Sequence, residues 1–353
     1  DQKFILDQIV TLVKEEKIDV ILLCGDIYDK AIPTIEAIHL LDEFLEELSD
    51  LKVKVLMISG NHDSSERLSF GRNLFKRSNL YIASQFNQEI EKITIKEDGY
   101  NINFYMLPFV KPAYINHVLK IQTETYEECF KQVKINEDET NILLAHQFVT
   151  VGKNSPELSD SETSSLGGID NIDYRLFDAF DYVALGHIHK PQAMGREMVR
   201  YAGSILKYSF SEIHKDKQAT ILTISKNKQI SLSHHLLKPL RDMREMECSL
   251  ESLLKRKCEI GNEEDYMHVI LTDEEQILDA IGKVRTIYPN VMQISFKNRR
   301  HMMQYETIQM KENQIADQNP MELFEQFYKM QNHIDLDEKR AQMAISIFEE
   351  VIR

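Results

Sequence analysis

Two apolar runs in the first part of the chain each end abruptly in a polar turn. The first covers residues 18–24 and stops at Gly25, and the second covers residues 53–59 and stops at Gly60. Near-continuous apolar runs of this length are typical of strands that are covered on both faces of a sheet. Between them, residues 34–49 carry apolar positions at helical spacing. The pattern therefore predicts a strand–helix–strand unit with parallel strands.

Two further apolar runs follow the same plan. Residues 142–145 and 182–185 are short and apolar, and each is followed by a turn that contains histidine. Before them, residues 90–107 alternate around an Asp-Gly dipeptide, which favours a β-hairpin. Residues 152–170 are rich in serine, glycine and acidic groups without periodicity, which predicts a flexible loop.

The pattern changes in the last third of the chain. Residues 240–298 alternate strand-like and helix-like pieces, with strands near 266–272 and 291–297 around a helix at 274–287. This alternation predicts a small α+β domain. Residues 320–353 carry apolar positions at helical spacing in two stretches, which predicts two amphipathic helices. The predicted domains are residues 1–238, 239–305 and 306–353.

Composition and cysteine use bound the class of protein. The chain has 353 residues, of which 42% are hydrophobic and 28% charged, values typical of a globular protein with room for two domains. No apolar run approaches the roughly 20 residues that span a bilayer. The four cysteines are scattered without a Cys-x-x-Cys pair, which fits a reducing compartment. We therefore expect a cytoplasmic protein.

The net charge of −15 argues against a protein that coats nucleic acid, because DNA binding depends on neutralising phosphates with Lys and Arg. Two interpretations remain open. Either the substrate is not DNA, or DNA is held by local basic patches, bound metal ions and a partner protein.

Each of the four apolar runs ends at a potential metal ligand. In open α/β sheets, ligands bind beyond the carboxyl ends of the strands. Carboxylate, amide oxygen and imidazole together suit Mn²⁺, Fe²⁺ or Zn²⁺ better than Ca²⁺, and the absence of thiolate argues against a structural zinc site. The candidate ligands are Asp26, Asn61, His146, His187 and His189, with His62 beside them.

Taken singly, each of these residues has an ordinary structural interpretation. An Asp after a strand, such as Asp26, is commonly a turn or cap residue, and a lone His146 is commonly a hydrogen-bonded interior histidine. His187 and His189 project to the same side of an extended segment. The ordered set at four successive strand ends is far more specific than any member.

The motifs Gly25-Asp26-Ile27-Tyr28-Asp29, Gly60-Asn61-His62-Asp63, Ala145-His146 and Gly186-His187-Ile188-His189 resemble those of the calcineurin-like metallophosphoesterases. Residues 60–68 and 201–212 are similar to segments of the SbcD family within that superfamily, and the likeness covers most of the chain. The resemblance implies an α/β fold: a four-layer αββα sandwich with a small α+β capping domain and a C-terminal helical hairpin.

The resemblance also implies a two-metal site, with Mn²⁺ as the expected ion and Mg²⁺ as the alternative. Asp26 would bridge the two ions. Asn61 and His187 would complete the shell of one ion, and His146 and His189 would bind around the other. Two such ions lower the pKa of a bridging water and clamp the attacking and leaving oxygens.

His62 would be the catalytic histidine, donating a proton to the leaving sugar oxygen rather than binding metal. For Asp63, two roles stay open: orienting His62 or capping the turn. The family's first motif, an Asp-x-His that supplies two ligands, is not found before Asp26. The resemblance therefore implies a further strand upstream of Asp1, without which the first metal would lose two ligands.

Basic residues near these motifs are candidate DNA contacts, each with a solvated surface face as the alternative. The first group follows the catalytic turn. The candidates are Arg67, Arg72 and Lys207, with Lys76, Arg77, Lys215, Lys217 and the run Arg299-Arg300-His301 as further members.

The resemblance implies a Mn²⁺-dependent 3′→5′ double-strand DNA exonuclease and hairpin endonuclease, which would lie with DNA at the nucleoid. Residues 306–353 would dock on an SMC-like ATPase of the SbcC type, or would pack on this chain's own core instead. A homodimer within a heterotetramer is expected. The alternatives are a small-molecule phosphatase or phosphodiesterase and an inactive scaffold.

Overall fold

A computed structural model describes residues 1–97, 99–122, 126, 130, 133–162, 171–258, 261–275 and 277–297, with isolated positions 324, 325, 328, 329, 336, 340–342 and 344. These residues form two compact units, 1–244 and 245–353. The predicted basic run at 299–301 and most of the predicted helical segment 306–353 lie outside the described residues.

The helices and strands of the first unit occur at the predicted apolar runs and between them. The helices are α1 (Gln2–Glu15), α2 (Ile35–Asp50), α3 (Ser65–Leu68), α4 (Arg72–Phe75) and α5 (Pro112–Leu119). The strands are β1 (Val20–Cys24), β2 (Lys54–Ile58), β3 (Leu80–Ala83), β4 (Glu91–Glu97), β5 (Tyr100–Leu107), β6 (Thr140–His146), β7 (Phe148–Thr150), β8 (Asn171–Asp173), β9 (Tyr182–Gly186), β10 (Gln192–Met194), β11 (Arg196–Tyr201), β12 (Lys217–Ile224) and β13 (Ile230–Leu237).

Two sheets form the centre of this unit. The first contains β1, β2 and β3 in that order, all parallel. The second has the order β10-β11-β9-β6-β5-β4, in which β11, β9, β6 and β5 run parallel and both edge strands pair antiparallel. The predicted hairpin is the β4–β5 pair. In the part of the chain described, β12 with β13 and β7 with β8 form separate two-stranded sheets.

The apolar strands alternate between two cores, which explains their near-continuous apolar sequence. On β2, Leu56 and Ile58 face the second sheet, whereas Val55 and Met57 face α1 and α2. The central strands of the second sheet alternate in the same way. On β6, Ile142 and Leu144 face the first sheet, whereas Leu143 and Ala145 face the outer core.

Helices cover both outer faces. Phe44 and Leu48 of α2 pack with Val10 and Val13 of α1 against the first sheet, and α2 begins at Thr34, whose side chain accepts a hydrogen bond from the Ala37 amide. Beyond the second sheet, α5 and the 3₁₀ turn Tyr174–Phe177 add apolar side chains to the outer core. The layers are helix, sheet, sheet and helix, which confirms the predicted four-layer sandwich.

The second unit contains a three-stranded sheet, in the order β14 (Met243–Cys248), β15 (Tyr266–Leu271) and β16 (Val291–Phe296), with α6 (Leu250–Leu254) and α7 (Ala280–Arg285). Its core includes Leu253, Met267, Val269, Val284 and Tyr288, all fully buried. The strands match the predicted positions, while α7 is shorter than the predicted helix because Asp279 caps its start.

Within the part of the chain that the structure describes, the helices are too short or too polar to cross a bilayer.

Candidate metal centre

Four strand ends meet at one edge of the packed sheets. β1 leads into Asp26 and β2 into Asn61, while β6 ends on His146 and β9 leads into His187. The strands of each pair are parallel neighbours, and the two sheets share one core. Their carboxyl ends therefore lie together, and four of the five predicted ligands come within reach of one another.

Short distances join these four side chains. His146 Nε2 lies 3.2 Å from Asp26 Oδ2 and 3.0 Å from Asn61 Oδ1. His187 Nδ1 also lies 3.0 Å from Asn61 Oδ1. Candidate ligand atoms of Asp26, His146 and His187 all lie within 4.8 Å of one another. One ion could therefore contact all four residues.

Two of the clustered residues have an unusual backbone conformation, and a glycine beside them allows two strands to approach closely. Asp26 and His187 have φ values of 49° and 96°, in the left-handed region that non-glycine residues avoid. At Gly186, a Cβ atom would overlap the Cys24 carbonyl oxygen and crowd the His146 ring. Glycine there allows β1 to approach β9, and backbone strain of this kind is typical of functional sites.

The hydrogen bonds indicate which nitrogen of His146 carries a lone pair. Its Nδ1 lies 2.7 Å from the Cys24 carbonyl oxygen, which can only accept, so Nδ1 carries the proton. The Nε2 of a neutral ring therefore directs a lone pair at the oxygens of Asp26 and Asn61. Lone pairs that converge on one point without a donor between them are satisfied by a cation. A carboxylate, an amide oxygen and two imidazoles fit a divalent ion such as Mn²⁺.

The pKa values of the ligand groups agree with this assignment. Burial, together with the neighbouring His146, lowers the pKa of His187 to about 4, so the ring is neutral at neutral pH. Burial alone would raise the pKa of Asp26, but the neighbouring His146 ring and the hydrogen bond from the His62 amide hold it below its ordinary value. Neutral imidazoles and an ionised carboxylate are the states that bind metal.

His62 lies beside the centre without joining it. Its backbone N–H donates to Asp26 Oδ1 at 3.0 Å, and its ring Nδ1 lies 2.8 Å from the Asp29 carbonyl oxygen. Because that carbonyl can only accept, Nδ1 is protonated, which leaves Nε2 for another partner. The side chain is exposed, as a group that meets a substrate must be.

In the described structure, the Asp63 carboxylate binds the backbone of two turns. Its carboxylate accepts hydrogen bonds from the amides of Gly60 at 2.8 Å, Tyr28 at 2.9 Å and Ile27 at 3.1 Å. These bonds tie the turn after β1 to the turn after β2. The sequence left two roles open for Asp63, and these contacts favour capping of the turn. The group that holds the His62 ring is the Asp29 carbonyl.

His189 lies apart from the four-residue cluster. Its Nδ1 is 3.0 Å from Ser161 Oγ and 3.7 Å from Glu212 Oε1, and its ring meets Tyr208 edge-on. His146, which we expected beside His189, groups instead with Asn61 and His187. The reason is topological, because His146 is paired in register with Gly186, the residue before His187.

The basic residues assigned to DNA have different surroundings. Lys207 is largely buried, and its Nζ donates to Asp242 Oδ1 at 2.8 Å and to the Ile213 carbonyl at 3.0 Å. It therefore has a structural role rather than a DNA contact. Arg72 and Lys76 both approach Glu91, at 3.5 Å and 3.1 Å, which reduces their local positive charge. Arg67 is exposed and follows the turn that carries His62.

A buried acidic residue near His189 was not assigned from the sequence. Burial opposes the ionisation of Glu212, yet His189 and Lys217 beside it lower its pKa to about 2. Lys217, predicted as a DNA contact, is buried and forms an ion pair with Glu212. Glu212 lies in the 201–212 stretch that carries the family resemblance, but no pattern in the sequence indicates a contact across such a fold.

Comparison with known proteins gives matches over most of the chain. Residues 1–191 match the family model of calcineurin-like phosphoesterases, and residues 239–332 match SbcD_C, described as the type 5 capsule protein repressor C-terminal domain. The D subunit of the nuclease SbcCD from Staphylococcus epidermidis is 35% identical over 338 residues, covering 93% of this chain and 87% of that protein.

Among solved structures, TT1561 of Thermus thermophilus covers 66% of this chain and 93% of its own, with a TM-score of 0.38 and 13% identity. The chain belongs to the calcineurin-like phosphoesterases and, within them, to the SbcD family.

Proposed function

We propose that this chain is the nuclease subunit of a complex of the SbcC–SbcD type and hydrolyses phosphodiester bonds at DNA ends. The observation that carries the proposal is the convergence of Asp26, Asn61, His146 and His187, with His62 beside them. The nuclease activity named for the Staphylococcus relative supports the choice of substrate.

The four clustered residues would hold one divalent ion, and His189 would hold a second together with ligands beyond this set. We propose Mn²⁺ as the ion. When bound, the ions supply an activated water and stabilise negative charge on the phosphate. The chain's own groups orient the reaction, since the Asp29 carbonyl holds the His62 ring with Nε2 unblocked. In its protonated form, His62 donates a proton to the departing sugar oxygen.

The DNA activities we propose are 3′→5′ degradation of duplex ends and cleavage of hairpins. Arg67 is exposed next to the His62 turn and is the favoured phosphate contact. The net charge of −15 and the pairing of Arg72 and Lys76 with Glu91 leave this chain few phosphate contacts of its own. Most of the electrostatic attraction would therefore come from the partner.

We propose an SMC-like ATPase of the SbcC type as that partner. Residues 239–305 would cap the site and contact DNA, and residues 306–353 would dock on the ATPase, with the chain as a homodimer in a heterotetramer. The printed name of the relative, which makes it one component of SbcCD, supports the assignment. An amphipathic helix in a partner's groove is a common mode of docking.

A small-molecule phosphodiesterase is the second candidate function. The acidic surface and the structural use of Lys207 and Lys217 favour it, because they remove positive charge that DNA would need. The same metal residues and His62 would serve either substrate.

The test is release of nucleotides from end-labelled duplex DNA by the full-length protein with Mn²⁺, in the presence and absence of its ATPase partner. The nuclease proposal predicts Mn²⁺-dependent release from wild type, abolished in His62→Ala with its bound manganese unchanged by elemental analysis. Lys14→Ala, an exposed change near the end of α1 and outside every group assigned to the site or to DNA, serves as the control. Cleavage of bis-nitrophenyl phosphate without any action on DNA, even with the partner, would favour the small-molecule function instead.

A further inference from the structure

A buried polar network lies behind His189. The side chains of Glu212 and Lys217 are 1% and 4% exposed and form an ion pair. Lys217 Nζ also donates to the His189 carbonyl at 2.9 Å and to Ser204 Oγ at 2.7 Å. Replacing a buried ion pair with apolar residues is often neutral or stabilising, so fold stability alone does not account for charges in this position.

The ring of His189 is tied into the network through Ser161. His189 Nδ1 lies 3.0 Å from Ser161 Oγ, which in turn lies 3.3 Å from Glu212 Oε1 and 2.9 Å from Ser159 Oγ. The Ser159 hydroxyl donates its own proton to Glu162, so its oxygen is free to accept. The single proton of Ser161 can therefore go either to Ser159 Oγ or to Glu212 Oε1. Ser161 Oγ then accepts from the ring.

Electrostatics favour the same tautomer. The Glu212 carboxylate oxygen is 3.7 Å from His189 Nδ1. A negative charge at that distance disfavours a lone pair on Nδ1 and favours an N–H there. A neutral His189 ring therefore keeps its lone pair on Nε2. Histidines that bind metal commonly donate their other ring N–H to a carboxylate, carbonyl or water in this way.

The main chain of His189 is held by the same group of residues. Its amide N–H donates to Glu162 Oε1, and its carbonyl accepts from Lys217. Ring nitrogen, amide and carbonyl are thus all bonded to side chains. This is more constraint than a surface turn needs, and it fixes both the position of His189 and its tautomer.

We propose that Glu212, acting through Ser161 and paired with Lys217, is a positioning residue that keeps His189 Nε2 available to a metal ion. The inference rests on the proposed two-metal function and extends it to Glu212 and Ser161, for which no role was assigned. Glu212 itself binds no metal in this account. It acts on the centre only through His189.

Ser161→Ala is the first test, with Ser209→Ala as a matched control. Ser161 is exposed, so its loss should not impair folding. Ser209 Oγ donates to the same Glu212 oxygen at 3.2 Å but forms no hydrogen bond with His189 in the described structure. Isothermal titration calorimetry of the full-length protein with Mn²⁺ measures the affinity of each manganese site. We expect Ser161→Ala to weaken manganese binding at one site by about 10-fold, the smallest loss typical of residues that support a metal ligand. Ser209→Ala should bind manganese as tightly as wild type.

The paired variant Glu212→Gln/Lys217→Met removes the carboxylate without leaving a buried unpaired lysine. We expect it to weaken the same manganese site by about 10–100-fold. Hydrolysis of bis-nitrophenyl phosphate should fall at low Mn²⁺ and recover at high Mn²⁺. Rescue by added metal separates a positioning role from a general loss of folded protein. If this variant does not fold, Ser161→Ala still decides the question.

Nitrogen-15 NMR of the metal-free protein gives a readout that needs neither metal nor activity. Wild-type His189 should show the Nδ1–H tautomer, and the paired variant should lose that preference. Variants that keep this tautomer and bind two manganese ions as tightly as wild type would overturn the positioning role alone. A wild-type protein that binds no manganese at all would overturn the proposed function itself, whichever tautomer His189 adopts.

Discussion

At the scale of single residues, three of the four histidines around the centre share one arrangement. In His146, His62 and His189, the ring Nδ1 faces an oxygen that accepts its proton, and Nε2 is left for metal or substrate. His187 differs, since its Nδ1 faces Asn61 within the cluster. The groups that each ring contacts therefore distinguish the proposed ligands His146 and His187 from the proposed catalytic residue His62 and from His189.

Asp63→Ala tests whether Asp63 caps the turn. Loss of the carboxylate leaves three amide donors without their acceptor, and we expect the free energy of unfolding to fall by about 1–3 kcal/mol. Chemical denaturation measures it. Asp29→Ala is the control, because Asp29 holds His62 through its main-chain carbonyl and its side chain is exposed. Unchanged stability with a lower kcat would instead favour the orienting role.

At the scale of elements, buried strands and their ends could be predicted from sequence. Strands covered on both faces must be apolar throughout, so their ends, and with them Asp26 and His146, are visible in the pattern. Side-chain pairing is not visible in this way. Lys207 resembles any surface lysine in sequence, yet it pairs with Asp242, and Glu212 gains its role from a contact with His189 that only the fold creates.

Gly186→Ala tests the close approach of β1 and β9. The new Cβ would overlap the Cys24 carbonyl oxygen and press on His146. We expect a loss of about 1–3 kcal/mol of stability, typical of overpacking, together with weaker manganese binding. Thermal melting and metal titration measure the two effects. At Gly152 a Cβ meets no atom within 4 Å, although its φ of 61° makes alanine strained there. Gly152→Ala should therefore lose some stability but keep wild-type metal affinity; an equal loss of metal affinity in both variants would contradict the packing argument.

The second unit allows a prediction about pH. Burial raises the pKa of the Cys248 thiol to about 12, against about 8.5 in an unfolded chain. Because the folded pKa is raised, the stabilisation is present below about pH 8.5 and is lost as the pH rises towards 12. Native protein at pH 8 should therefore resist labelling of Cys248 by iodoacetamide, as judged by mass spectrometry, until denaturant is added. Rapid labelling without denaturant would contradict the buried assignment.

At the scale of the whole molecule, an acidic chain carries a site for a polyanionic substrate. The net charge of −15 opposes DNA over a distance of about 8–10 Å at physiological salt. Bound divalent ions and a basic partner would reverse the field locally. The domain boundaries at residues 238 and 305 remain predictions, as does the docking role of residues 306–353.

Deletion of residues 318–353 tests that docking role. We expect the truncated protein to fold, to bind manganese and to cleave bis-nitrophenyl phosphate, but to lose its complex with the SMC-like ATPase on gel filtration. Circular dichroism is the control for folding. A truncated chain that still co-elutes with the ATPase would place the docking surface elsewhere.

The most direct test of the central claim is the anomalous diffraction of manganese in crystals of the full-length protein soaked with Mn²⁺. The account predicts a peak within coordination distance of Asp26, Asn61, His146 and His187, with a second peak near His189. Manganese bound elsewhere, with these four side chains bonded only to each other, would contradict it.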